Sequence, residues 1–198
     1  MRTLLIMLVA FGLSACNLVY TEKPLWTAAD ARGAPKLKPG VWVNPKPDCA
    51  FEPKQTPLPE CAHAATITPE ALLPPPGEAA RAEGEPDRLP YVLVAGDPPV
   101  MQLELDLKKA ERRWLYVGLR PLKTDNRGRV TEIRFWLAQC GPPPPKGSKE
   151  FVTAQPLPGL KIVENDCIPD DAASVFRAAK ASEAWDEDKD SIRWLRDK

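Results

Sequence analysis

From residue 101 onward the chain alternates, after a short run of strand-forming residues. Tyr91-Val92-Leu93-Val94 is a β-rich run closed by Gly96-Asp97-Pro98-Pro99, and beyond it Met101, Leu103, Leu105 and Leu107 are apolar while Gln102, Glu104 and Asp106 are polar. A period of two places every second side chain on one face, so this run predicts a strand with one side buried. Leu115, Val117 and Leu119 repeat the pattern within 113–119, and Ile133, Phe135 and Leu137 within 130–139. Between them Thr124-Asp125-Asn126-Arg127-Gly128 supplies hairpin chemistry, with Gly128 suited to positive φ. The period then changes. After Pro169-Asp170-Asp171, Ala172, Val175, Phe176 and Ala179 fall at i, i+3, i+4 and i+7, one apolar helical stripe. Leu160 to Val163 reads as a short strand, and Ile192 with Trp194 as a terminal one. The expected fold class is therefore α+β: a small antiparallel β meander of three or four strands, with one C-terminal helix laid on it.

The first half has no comparable rhythm. Of its possible elements, Gly40-Val41-Trp42-Val43 is a short strand, and Thr27 before Ala28-Ala29-Asp30-Ala31 caps one helical turn ended by Gly33. Thr68-Pro69-Glu70 offers a helix start that Pro74-Pro75-Pro76 stops after about one turn. Composition explains the lack of pattern: there are 24 prolines against 11 glycines, most of the prolines between residues 24 and 99. Each removes a backbone donor and fixes φ, which excludes long helices and central strands. The division expected is a leader over 1–15, a tether over 16–36, a proline-rich disulfide-stapled segment over 37–87, and the α+β domain over 88–198.

The leader has a recognisable chemistry. Arg2 precedes an uncharged apolar run from Leu4 to Leu13, too short for a membrane span of about 20 residues but ordered as an export signal. It ends in Leu13-Ser14-Ala15-Cys16, which closely resembles the lipobox of bacterial lipoproteins. The resemblance implies cleavage before Cys16 and diacylglycerol on its sulfur, with several acyl chains giving a stable membrane anchor. Asn17, where an aspartate would retain the protein at the inner membrane, implies the outer membrane, with the folded part facing the periplasm. The chain as a whole resembles bacterial envelope lipoproteins.

That compartment is oxidising, so the four cysteines besides Cys16 are read as disulfides. Three connectivities are open. Nearest-neighbour pairing, Cys49 with Cys61 and Cys140 with Cys167, closes the shortest loops and is the one expected. A zinc site is unsupported, since there is no Cys-x-x-Cys pair and only one histidine. The 27 basic and 27 acidic residues cancel, giving no field to gather phosphate backbones, so nucleic acid is not an expected partner.

Catalytic signatures are scarce. His63 has no Gly-x-Ser-x-Gly elbow to serve and reads as an ordinary loop side chain; no phosphate-binding glycine loop occurs. Glu104 and Asp106 share a strand face at i and i+2, a spacing open to a carboxylate enzyme and equally to the wet side of a strand. Asp186, Asp188 and Asp190 resemble the start of an EF-hand calcium loop, but Ser191 stands where the turn needs glycine and Asp197 where it needs glutamate. They are a weak candidate, and no metal or cofactor is expected. The remaining constellation is Arg112, Trp114 and Tyr116 on one strand and Arg134 with Trp136 on the next. Pairing across the hairpin would stack guanidinium groups on indoles, either as a covered ladder, the expected outcome, or as an exposed platform for an envelope protein or glycan. The functional expectation is a noncatalytic envelope lipoprotein that binds another envelope component; the alternative is a carboxylate enzyme acting on envelope polymers.

Overall fold

Strand-forming residues occur on both faces of the central strands, and that decides the architecture. In the computed structural model, which describes residues 17–77, 88–106, 112–144, 153, 155–186 and 191–198, eleven strands occur: β1 (Tyr20–Thr21), β2 (Gly40–Val43), β3 (Ala65–Ile67), β4 (Ala71–Leu73), β5 (Leu89–Val94), β6 (Val100–Asp106), β7 (Arg112–Thr124), β8 (Val130–Leu137), β9 (Leu160–Val163), β10 (Asp166–Pro169) and β11 (Ser191–Arg196). The single α-helix among the described residues is α1 (Ala172–Ser182), and short 3-10 turns cover Ala28–Ala31 and Glu60–Ala62.

The expected small meander is overturned. Eight strands run β7-β6-β5-β4-β3-β2-β11-β8, and a β8–β7 pairing closes them into an antiparallel barrel, with β1 added outside on β7. The protein is mostly β. Three barrel strands come from the proline-rich segment over 37–87. The expected helix after Thr68 is instead the β3–β4 hairpin: Thr68 Oγ1 accepts from the Ala71 amide at 3.0 Å and closes a tight turn where a helix would have begun. The ring closes because the C-terminal β11 lies between two strands distant in sequence, with Trp194 opposite Trp42 of β2 and Ile192 opposite Ile133 of β8. Closure removes the sheet edges that a meander would have left open.

The alternation read from the sequence sorts the two sides of the wall. Leu93, Met101, Leu103, Val117, Leu119 and Ile133 point inward with Trp42 and Ile67 into one apolar cluster that fills the barrel. Part of the other face is buried as well. Val94, Val100, Tyr116 and Ala138 point outward into a second cluster with Val175, Ala178 and Ala179 of α1. The helix thus lies on the outside of the barrel wall, on the stripe predicted for it. Glycine permits the closest approaches: a Cβ on Gly118 would strike the Trp136 indole, and one on Gly96 the Phe176 ring. A third cluster, Val41, Val43, Ala62 and Ala64, lies under the loop stapled by Cys49 and Cys61.

Residues 17–36, expected as a tether, run along the outside of the barrel instead. Tyr20 and Thr21 pair with Leu115 and Trp114. The Gln102 side chain, buried and pointing outward, accepts from the Leu25 and Trp26 amides at 2.8 and 3.0 Å and donates to the Trp26 carbonyl at 2.9 Å. Trp26 then packs edge-on against Tyr116, 5.6 Å between centroids. At the far end Leu37 bridges Val130 and joins the barrel interior.

Candidate functional site

The predicted Arg and Trp face is the part of the wall covered by this strap and by α1. β6, β7 and β8 position it, and the register settles which residues meet. Trp136 lies opposite Gly118 and Arg134 opposite Arg120, whereas Trp114 lies opposite Glu104 and Tyr116 opposite Gln102. The expected stacking of Arg134 and Trp136 on Arg112 and Trp114 across the hairpin is therefore not made, because the β7–β8 pairing begins at Val117, beyond Trp114. Arg134 sits over its own neighbour Trp136, 5.3 Å from the ring centroid.

Burial divides the five residues. Tyr116 and Trp136 are 1% and 4% exposed. The Trp136 Nε1 donates to the Ala179 carbonyl of α1 at 2.6 Å, and the Tyr116 hydroxyl shares a 2.6 Å hydrogen bond with Thr21. Burial pushes the Tyr116 phenol up to about 12, against the Thr21 bond, which lowers it. Arg134 and Arg120 both reach Glu183, just past the end of α1, and Arg120 also meets Asp97 at 3.1 Å. The Arg120 hydrogen bond holds the Glu183 carboxyl below its ordinary range, outweighing the burial that raises it. These groups tie helix to wall. What stays open is the rim at the start of β7: half-buried Trp114, and Arg112, exposed and 3.4 Å from Glu104.

The remaining candidates fall as follows. The disulfides join the expected pairs, Cys49 with Cys61 and Cys140 with Cys167. Cys16 lies outside the described residues, as do Asp188 and Asp190; Asp186 is half-buried. Among the described residues no three His, Cys, Asp or Glu side chains come together as a metal site. Glu104 is engaged by Arg112, and the Asp106 side chain is outside the described set. His63 is not an open loop residue: it is 4% exposed, with a left-handed backbone (φ 43°) after the Glu60–Ala62 turn, and neither ring nitrogen meets a hydrogen-bond partner. A surface depression at the β3–β4 turn is lined by Thr68, Pro69, Glu70, Ala71, Leu73 and Arg88.

Sequence reasoning considered Asn17 only for its place after Cys16 and missed its packing. Asn17 is 3% exposed. Its amide donates to the Asn165 carbonyl at 2.6 Å, its carbonyl accepts from the Cys140 amide at 2.8 Å, and its side chain donates to Gly141 and accepts from Thr153 at 3.1 and 3.0 Å. The next residue continues the pattern, since the Leu18 carbonyl accepts from the Cys167 amide at 2.8 Å and its amide donates to Asp166 Oδ1 at 3.0 Å. The amides of the two cysteines of one disulfide thus hold two adjacent residues, Cys140 the first and Cys167 the second. Burial raises the Asp166 carboxyl above its ordinary range, more than the Leu18 hydrogen bond and the nearby Arg113 lower it. No local signal in Asn17-Leu18-Val19 announces this, because every partner lies more than a hundred residues away.

Comparison with known protein families, with curated proteins and with solved structures finds no match to the chain.

Proposed function

We propose that this protein is a lipid-anchored component of the bacterial cell envelope, held to the outer membrane through Cys16, whose rigid periplasmic barrel binds another envelope component without catalysis. The observation that carries the reading is the pair of disulfides within the fold, since such bonds persist in oxidising compartments and the leader resembles a lipoprotein signal. The barrel interior is filled by side chains, which favours recognition by the outer surface over a ligand held inside. The inward-facing apolar cluster is the inverse of a membrane-spanning barrel, whose interior is polar, and so supports attachment by an anchor.

Crosslinking in the native envelope followed by mass spectrometry tests this. The expected result is a discrete crosslinked partner that disappears in Cys16→Ala, which carries no lipid label and is not cleaved before residue 16. Recovery of the parent with free thiols, unchanged lipid labelling of Cys16→Ala, or crosslinks no different from those of an unrelated lipoprotein would overturn it.

A further inference from the structure

Resting on the lipid-anchored reading, we propose that the barrel has no tether: the end bearing Asn17 and the 164–165 turn lies directly on the lipid headgroups, and the 125–129 turn points away from the bilayer. The peptide nitrogen that joins Asn17 to Cys16 is itself fixed to the Asn165 carbonyl, and the Asn17 carbonyl and side chain are fixed to the 140–141 and 153 backbone. The acylated residue therefore sits one Cα–Cα step, about 3.8 Å, from a point held on four sides. A flexible tether of about twenty residues would instead let the protein wander by roughly 25 Å.

The headgroup layer on one side of a bilayer is only about 5 to 7 Å deep. Surface groups beside Asn17 must then enter it. Those groups have the chemistry of that layer. Glu164 and Asn165 are exposed at the turn, Lys161 and Ile162 are exposed on β9, and Arg112 projects from the same end beside the half-buried Trp114. That the β7 start and this hairpin are neighbours follows from Arg113, which stacks on Tyr20 at 4.6 Å and acts on the Asp166 carboxyl. Tryptophan with a snorkelling arginine is the composition found at membrane interfaces. The 125–129 turn is at the other end of β8: from Val130, which follows the turn, to Cys140, whose amide holds the Asn17 carbonyl, the chain advances by up to roughly 33 Å at about 3.3 Å per residue.

The test uses the full lipidated protein in vesicles, with a fluorophore on Asn165→Cys or on Asn126→Cys and nitroxide-headgroup lipid as quencher. Asn165 bonds through its backbone, so its side chain can be replaced; Lys161→Cys provides a second position on the same end. Quenching several-fold stronger at 165 and 161 than at 126 is expected, and a Gly/Ser linker inserted between Cys16 and Asn17 should abolish the difference while leaving the melting temperature unchanged. Equal quenching at the two ends in the parent overturns the orientation. The mass of the N-terminal peptide separates the two readings: with diacylglycerol on Cys16 and equal quenching only the orientation falls, whereas an unmodified Cys16 sinks both.

Discussion

Trp136 fills the gap left by Gly118, packs beneath Arg134, and gives its indole proton to the last turn of α1. One side chain thus links wall and helix. Trp136→Ala should destabilise the fold by about 3 to 5 kcal/mol, the range for a buried tryptophan, while half-buried Trp114 should cost markedly less. Thermal melts of both variants check this; equal losses, or an unchanged melt for Trp136→Ala, contradict it. Asp166 makes a prediction of opposite character. Because its folded pKa lies above the unfolded value, it contributes stability at pH below about 4, and that contribution is lost as pH rises through the folded pKa. Asp166→Asn keeps an oxygen for the Leu18 amide but cannot ionise. It should match the parent near pH 3 and exceed it near pH 7, by denaturant unfolding at each pH; a variant less stable than the parent at neutral pH would refute the account.

Elements are held in place here by short-range clamps on long-range partners. The helix α1 begins where Asp171 accepts from the Ser174 amide at 2.7 Å and ends at Glu183, whose carboxylate meets two arginines of the wall. The two disulfides act on different elements. Cys140–Cys167 lies in the cluster beneath α1 and aligns the amides that hold residues 17 and 18, whereas Cys49–Cys61 staples a loop over the outer face of β2. Each closes a loop of a size for which the chain-entropy model gives about 3 kcal/mol. Their loss should nonetheless differ in place. Replacing both Cys140 and Cys167 with serine should expose the Val19, Cys140 and Cys167 amides to hydrogen exchange. Replacing Cys49 and Cys61 should loosen the 44–62 region and leave those amides protected. Exchange that rises uniformly in both double variants would argue against this division.

At the scale of the molecule the barrel is closed by its last strand. β11 pairs with β2 on one side and β8 on the other, so a chain truncated before Ser191 leaves two inner edges open and removes Ile192 and Trp194 from the interior. Such a protein should lose cooperative melting and associate through the exposed edges, by calorimetry and light scattering. A cooperative monomer from that truncation would show that closure is not what stabilises the fold. Because β2 and β11 are separated by most of the chain, the contacts that close the barrel are among the least local, the arrangement expected to fold slowly.

Periodicity in the sequence was enough to locate β6, β7, β8 and the helix, and to say which side chains of Met101, Leu103, Val117, Leu119 and Ile133 share a face, since alternation is a local consequence of backbone geometry; short β-rich runs marked β2, β5, β9 and the terminal strand. It also led to the disulfide pairs through loop length. It could not show that the other face is buried, although the unbroken runs at 91–94 and 115–117 carry that signal: strands covered on both sides lose their polar alternation. Gln102 reads as the wet side of a strand and is instead the group on which the strap is fastened, while Tyr116, expected within a covered face, is covered by that strap and bonded to Thr21. The β3–β4 hairpin was read as a helix start because Thr-Pro-Glu favours both a cap and a turn, and only the neighbouring strands β2 and β5 select the turn. Barrel closure, the seating of Asn17 and the register that separates Trp136 from Trp114 depend on partners far apart in the chain. Tertiary structure alone decided these, because a strand's edge carries no record of which other strand will satisfy its amides.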